Sequence, residues 1–154
     1  MPARSGTMPA PGGQVASAQL PWGWLGYATQ TGTQTGITTQ VDLTGLSIPV
    51  TVGANRLIKI TAWAMLTSSV ANDAARLLIM EGATQLSLCD VYVDVAGNVC
   101  NATEMVILAP TAGAHTYKLQ GSRGTGTGNI SLLGNSGGFN YPAFILVEDI
   151  GPST

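Results

Sequence analysis

The sequence predicts an all-β fold, a jelly-roll-like antiparallel β-sandwich of about 8–10 strands that follows an extended N-terminal arm. Three observations support this: short segments alternate apolar and polar residues, turn residues recur roughly every ten residues, and helix signals are almost absent. The 154 residues fit one domain with a tail, and 45% of them are hydrophobic, enough for a core. We therefore predict an arm over residues 1–21 and a sandwich domain over residues 22–154.

The predicted arm contains Pro2, Pro9, Pro11 and Pro21, and it shows neither helix nor strand periodicity. Such a composition cannot bury enough apolar area to offset the entropy lost on ordering. We expect the arm to order along a neighbouring subunit in an assembly, with Pro9 and Pro11 among its contacts. A merely disordered terminus is the alternative.

The predicted strands begin at the aromatic-rich segment Leu20–Ala28. The clearest is residues 56–66, where Ile58 and Ile60 share one face with Ala62 and Ala64 in a period of two. The others are 40–43, 46–52, 76–81, 86–95, 103–108, 114–120, 129–133 and 142–150. Because Pro49 cannot donate a ladder hydrogen bond, its strand is predicted to be an edge strand or bulged there.

Two polar segments punctuated by glycine, residues 29–36 and 121–128, are predicted to be loops. Residues 70–76 could be helical, but the apolar run 77–80 has the length of a strand, so we favour a loop leading into a strand. In segment 86–95 the alternation directs one set of side chains inward: Cys89, Val91, Val93 and Val95.

The two cysteines flank a hairpin-like turn at Val95–Asn98. A turn centred near Gly97 places Cys89 opposite the region of Met105 rather than Cys100. Two unbonded core cysteines in a reducing compartment are the favoured interpretation, and a disulfide is the alternative. A zinc site is not predicted, because no second cysteine pair or histidine cluster is present.

Charged residues make up only 9% of the chain, against roughly a quarter in a typical soluble domain. Mean hydropathy is +0.27, so charge alone cannot cover the surface. This favours burial of surface in a homo-oligomer; a threonine-rich soluble sandwich is the alternative. The six basic residues occur singly, which disfavours nucleic-acid binding. No apolar stretch reaches the roughly 20 residues of a membrane span, and Met1–Gly6 lacks the apolar core of a signal peptide.

No catalytic constellation, cofactor site or metal site is predicted. His115, the single histidine, has no nucleophile motif around it, so we expect a structural or exposed role. Asp90 and Asp94 on one strand would lie roughly 13 Å apart, too far for a glycosidase pair. Gly124–Gly128 lacks the lysine and the helix of a phosphate-binding loop. Glu148–Asp149 should point to opposite faces of a strand.

Trp22, Trp24 and Tyr27 stand at the start of the first predicted strand. Aromatic residues in this position are typical of core or interface anchors, and stacking on a sugar is the alternative. We predict that they anchor an interface together with Pro9 and Pro11.

Four segments carry a resemblance to a known family: Leu20–Ala28, Gln34–Leu46, Ala114–Leu119 and Pro142–Pro152. The chain resembles small tail or head-surface proteins encoded by bacteriophages of actinobacteria, and the closing segment is the most specific match. The resemblance implies a virion component and brings no active site with it. The layout also resembles jelly-roll modules of phage fibres and capsid decoration proteins, which are commonly trimers, and this resemblance implies a homotrimer.

We therefore expect a non-enzymatic structural component of a bacteriophage virion, made in the host cytoplasm and displayed on the particle surface as a decoration or minor tail protein. Its expected partners are copies of itself and other virion proteins. The competing hypothesis is a carbohydrate-binding module for host-surface attachment, which needs an exposed aromatic platform or a polar pocket. A depolymerase-type enzyme is a third hypothesis, opposed by the lack of a close acid pair.

Overall fold

The computed structural model describes residues 23–136 and 139–153, which contain twelve β-strands and no helix. The strands are β1 (Gly23–Gln30), β2 (Gln34–Ile37), β3 (Val41–Val52), β4 (Arg56–Ser68), β5 (Asp73–Glu81), β6 (Thr84–Val93), β7 (Val99–Leu108), β8 (Gly113–Thr125), β9 (Ile130–Leu133), β10 (Asn135–Ser136), β11 (Phe139–Asn140) and β12 (Ala143–Pro152). The predicted arm and Trp22 lie outside the described residues.

The strands form two main antiparallel sheets that pack face to face. The six-stranded sheet has the order β1-β12-β4-β9-β2, with β7 paired along the other side of β4. The four-stranded sheet has the order β3-β8-β5-β6. The chain passes repeatedly from one sheet to the other, so that β3 and β4, β4 and β5, β6 and β7, and β7 and β8 lie in different sheets. This arrangement confirms the predicted jelly-roll-like sandwich.

The core lies between the sheets and follows the predicted period of two. In β4, every second residue from Ile58 to Leu66 is completely buried. The opposite sheet contributes buried residues that include Leu46, Leu77, Ile79, Tyr117 and Leu119. Full burial of each large aliphatic side chain contributes about 1.5–3 kcal/mol, so this layer is the main source of stability.

Parts of both segments predicted as loops, residues 29–36 and 121–128, are strands in the structure. Gln34 begins β2, and its side chain accepts a hydrogen bond from the Thr44 amide (2.9 Å) and donates one to the Asp42 carbonyl (3.1 Å). It thereby fills the bulge of β3 between Asp42 and Ser47. Pairing of β2 with β9 uses backbone groups, so polar side chains do not prevent it.

The second misassigned segment is the end of β8, residues 121–125. Here glycine marks close packing rather than a turn: a Cβ on Gly121 would lie 3.0 Å from Leu43 Cδ2 and 3.5 Å from Ile37 Cδ1. The prediction that Val95 faces inward is also wrong. β6 ends at Val93, and Val95 is 54% exposed in the following turn.

Pro49 lies in β3, which is an edge strand as predicted. Residues 70–76 are not helical and lead into a strand, as predicted, but β5 begins at Asp73, three residues before the predicted start at Arg76. The side chains of Glu148 and Asp149 do point to opposite faces. Asp149 is buried in a bidentate ion pair with Arg56 (2.6 and 2.7 Å), which ties the start of β4 to the end of β12.

Candidate interaction surface

The outer face of the six-stranded sheet carries a continuous set of aromatic and aliphatic side chains. We call this set the aromatic face and define it as Trp24, Tyr27, Trp63, Met65, Met105, Ile107, Phe144 and Leu146. These residues come from four strands, β1, β12, β4 and β7, and none of them belongs to the buried core.

Strand register brings these side chains into rows. Two rows run across β1, β12, β4 and β7: Tyr27–Leu146–Thr61–Met105 and Thr29–Phe144–Trp63–Thr103. Directly paired residues on antiparallel strands point to the same side of a sheet and touch one another. The face is therefore fixed by pairing between segments that are distant in the sequence.

A β-bulge places Trp24 and Tyr27 on the same side of β1. In a regular strand, residues three positions apart point to opposite faces. The register shift between Trp24 and Gly26 inserts one extra residue, Leu25, and so turns Trp24 to the outer face. Gly26 is required beside this bulge because a Cβ there would overlap the Cγ2 methyl of Ile48 on β3.

The four aromatic rings form an unbroken chain across three strands. Centroids are 5.9 Å apart for Trp24 and Tyr27, 6.0 Å for Tyr27 and Phe144, and 6.4 Å for Phe144 and Trp63, with interplanar angles of 23°, 31° and 22°. Exposure increases toward the edge strand, reaching 49% for Tyr27 and 70% for Trp24. The end of this row of rings on β1 is thus open to a partner, while its centre is packed against neighbouring side chains.

Charge is almost absent from this surface. Among the outward-facing residues of β1, β12, β4 and β7 that the structure describes, the charged ones are Lys59 and Glu148, and they pair with each other at 2.6 Å. Their opposite charges cancel within the face. A large apolar surface with little net charge is typical of an interaction site.

The predicted anchor residues are only partly described. Trp24 and Tyr27 lie on the aromatic face, whereas Trp22, Pro9 and Pro11 lie outside the described residues. Sequence reasoning missed Trp63, Phe144, Met105 and Ile107, because their alternation with buried residues shows only that they point outward. Gly26 within an aromatic strand was the one available signal of the bulge that unites the rings.

The segment Gly124–Gly128 binds a carboxylate of the same chain, that of Asp73. Asp73 is buried, and its carboxylate accepts hydrogen bonds from the Ser68 hydroxyl (2.5 Å) and from the amides of Thr127 (3.1 Å) and Gly128 (2.8 Å). The Ser68 hydrogen bond is the main cause of the lowered pKa of Asp73. A Cβ on Gly126 would overlap this carboxylate, which explains why glycine is needed there.

Both cysteines are free. Cys89 packs against the core, and its thiol pKa is raised by burial. The thiol contacts the backbone of Thr103 on β7, two residues from the predicted Met105. The Cys100 thiol lies 3.3 Å from the Tyr92 carbonyl. The two cysteines therefore occupy different positions along β6 and β7.

His115 lies at the start of β8, between Glu81 of β5 and the β7–β8 connection. Its Nδ1 lies 2.5 Å from Glu81 Oε1, its Nε2 lies 2.8 Å from the Thr111 carbonyl, and its ring stacks on Tyr117. In the described part of the chain no pocket is found, and no three His, Cys, Asp or Glu side chains cluster as metal ligands would. No helix in the described ranges is long and apolar enough to cross a membrane.

No protein-family model and no curated protein matches the sequence. Among solved structures, the chain is similar to dimeric latent PorU from Porphyromonas gingivalis (TM-score 0.46, 9% identity), covering 94% of this chain and 14% of that one. It is similar to a carbohydrate binding module of Cellvibrio mixtus lichenase 5A in complex with cellotriose (TM-score 0.39, 17% identity), covering 80% and 96%. A chain of the infectious bursal disease virus Gt strain is also similar (TM-score 0.42, 13% identity), covering 86% and 39%.

Proposed function

We propose that this protein is a non-enzymatic structural component of a bacteriophage virion, displayed on the particle surface and assembled through contacts between copies of itself. The observation that carries the proposal is the aromatic face. It is a nearly uncharged surface of four rings and four aliphatic side chains on the outside of a folded sandwich.

Exposed apolar area is unfavourable in water. Apolar area left exposed costs roughly 25 cal/mol per Å² relative to burial, and a patch of this kind favours association. The internal Lys59–Glu148 pair lets the face be covered without leaving an unpaired charge in the interface. The low charge of the whole chain and the resemblance of its ending to phage virion proteins also support the proposal.

Sedimentation velocity of the purified chain over a concentration series tests the assembly step. We expect a reversible or stable oligomer, a trimer in the simplest case. Met105 is 55% exposed on the aromatic face, and Met105→Glu should weaken self-association by about 2 kcal/mol or more, roughly a thirtyfold rise in Kd.

Thr116→Glu is the matched control, because Thr116 is an exposed strand residue on the outside of the other sheet. It should leave the oligomer unchanged. A wild-type chain that remains monomeric throughout, or an equal effect of the two substitutions, would contradict assembly through the aromatic face.

Gold-labelled antibody on intact phage particles, viewed by electron microscopy, tests the location. Label over the head supports a capsid decoration protein, and label on the tail supports a minor tail or fibre protein. Particles that carry no label, although the antibody detects the purified chain, would contradict the virion role.

A second candidate function is carbohydrate binding, favoured by the exposed and nearly parallel Trp24–Tyr27 pair. Aromatic faces of this kind stack on the apolar side of sugar rings. A glycan array probed with wild-type chain and Trp24→Ala tests it, with Tyr92→Ala, which removes an exposed tyrosine of β6, as control. Glycan binding lost in Trp24→Ala alone would establish this function, and an array without signal would exclude it for the glycans tested.

A further inference from the structure

His115 closes one end of the sandwich at the junction of three segments. It projects inward from β8, its side chain is 10% exposed, and its ring lies parallel to that of Tyr117 (4° between planes, centroids 5.9 Å apart). Tyr117 is completely buried in the core. One ring nitrogen faces the end of β5 at Glu81, and the other faces the β7–β8 connection at Thr111.

The partners of the two ring nitrogens dictate the protonation of the ring. An ionised carboxylate and a backbone carbonyl can only accept hydrogen bonds. A neutral imidazole carries a single N–H and can satisfy only one of them. Both contacts, at 2.5 Å and 2.8 Å, are made together when both ring nitrogens carry a proton, that is, by the imidazolium ion.

We propose that His115 is a pH-released clamp, which as an imidazolium fastens the β7–β8 connection to the end of β5 and lets the connection go when it loses a proton. The clamp holds the connection that leads from one sheet to the other, because β7 belongs to the six-stranded sheet and β5 and β8 to the four-stranded sheet. Ile107 of the aromatic face lies just before this connection. The inference goes beyond the proposed function and does not depend on it.

The ionisable surroundings of His115 set the direction of the pH dependence. From β5 it faces Glu81, and from its own strand it faces Tyr117; on β3 it is paired with Val50, whose neighbours Pro49 and Thr51 carry no charge. The hydrogen bond to Glu81 is the main cause of a raised pKa of His115, which burial opposes and the Thr111 carbonyl supports. Burial and the Glu81 charge raise the pKa of Tyr117 to about 12, so Tyr117 stays neutral over the range in which His115 titrates.

The sign of the linkage follows from the raised pKa of His115. Stabilisation by the clamp is fully present below the unfolded-state pKa of 6.5 and is lost as pH rises through the higher folded-state value. The connection should therefore loosen on the alkaline side of neutrality.

The single histidine makes the test direct. Long-range ¹H–¹⁵N correlation spectra of the full-length ¹⁵N-labelled wild-type chain, recorded over pH 5 to 9, report both ring nitrogens without any substitution. We expect both to be protonated at pH 6.5 and to titrate together with a midpoint above that of free histidine. A single N–H at pH 6.5, or a midpoint at or below the free value, would overturn the proposal.

Two variants separate the clamp from general effects of charge. Glu81→Gln removes the anion while keeping the side-chain shape, and it should lower the His115 midpoint and flatten the fall of Tm with rising pH. Asp42→Asn, another carboxylate beside β8, should leave the His115 midpoint unchanged. In the wild type, hydrogen exchange of the amides of residues 111–113, corrected for intrinsic base catalysis, should accelerate above the midpoint. Unchanged protection across the titration, or equal midpoints in wild type and Glu81→Gln, would contradict the clamp.

Discussion

The outer faces of the two sheets are built from different side chains. On the six-stranded sheet, aromatic and aliphatic groups stand side by side with one internal ion pair. On the four-stranded sheet, Asp42 accepts hydrogen bonds from Lys118 (3.0 Å) and Gln120 (2.5 Å), and Arg76 pairs with Asp90 (2.7 Å). On the four-stranded sheet, the outer polar side chains form hydrogen bonds with one another and can form them with water. The apolar side chains of the aromatic face form none with water.

The contrast extends to the apolar side chains that the four-stranded sheet does carry on its outside. Leu78 and Met80 point outward from β5, yet they are only 2% and 3% exposed. The Gln40 side chain covers Met80, with its amide nitrogen 3.8 Å from the sulfur, and it also reaches Gln120. The aromatic face has no such cover among the described residues. Position on the outer side of a sheet therefore does not by itself expose apolar groups; in this molecule one outer face is covered and the other is left open.

The largest effect is expected from Gly26→Val, which disrupts the β-bulge that places Trp24 and Tyr27 on the same face of β1. The new side chain would collide with Ile48 and force β1 away from β3. We expect a loss of about 1–3 kcal/mol in the free energy of unfolding, the usual cost of overpacking. Urea denaturation measures it, and Gly32→Ala, where a Cβ meets only a distant side-chain atom, serves as the control. Equal stability of the two variants would show that the bulge tolerates a side chain.

A smaller effect, a gain in self-association, is expected from replacing both charged residues of the aromatic face, Lys59→Met with Glu148→Met. The partly exposed ion pair contributes only about 0–1 kcal/mol to folding, so the monomer should be little affected. Self-association should strengthen by about 1 kcal/mol, roughly fivefold in Kd, because the charges no longer need to be desolvated. Sedimentation equilibrium measures the change, and weaker association in the double variant would mean that the charges contact the partner favourably.

The smallest effect is expected on the polar face. Hydrogen bonds from Lys118 and then Gln120 lower the pKa of Asp42. A lowered folded-state pKa gives stabilisation that is present above the unfolded value of 3.8 and lost as pH falls through the folded value. Asp42→Asn should therefore cost less than about 1 kcal/mol at pH 7, since the group is exposed, and should make the stability less sensitive to acid. Thermal unfolding at pH 7 and pH 3 tests this, and an undiminished acid sensitivity would contradict it.

The sequence was sufficient for features that depend on neighbouring residues. The alternation from Ile58 to Ala64 predicts which side of β4 is buried, and Pro49 correctly predicts an edge strand, because both depend on local geometry. The aromatic face could not be predicted in the same way. It requires the register of four strands and a bulge at Leu25, and these are set by pairing between distant segments.

Two wrong loop predictions also arise from contacts between segments that are distant in the sequence. The polar segment that became β2 and the glycines at the end of β8 have the composition of loops. The Gln34 side chain is held by hydrogen bonds to backbone groups of β3. Position 121 favours glycine because Leu43 packs against it. Neither partner is adjacent in the sequence, so no local pattern could reveal them.

The pairing of β1 with β12 also has a consequence for synthesis and folding. Gly23 pairs with Asp149, so the ribosome must make more than a hundred further residues before β1 finds its neighbour. All-β folds with such distant contacts fold on a timescale of roughly milliseconds to seconds. Throughout that interval Trp24 and Tyr27 are attached to an unpaired strand, the kind of surface on which nascent chains aggregate. Each new copy thus depends on β12 to pair with β1 before the unpaired strand meets another chain.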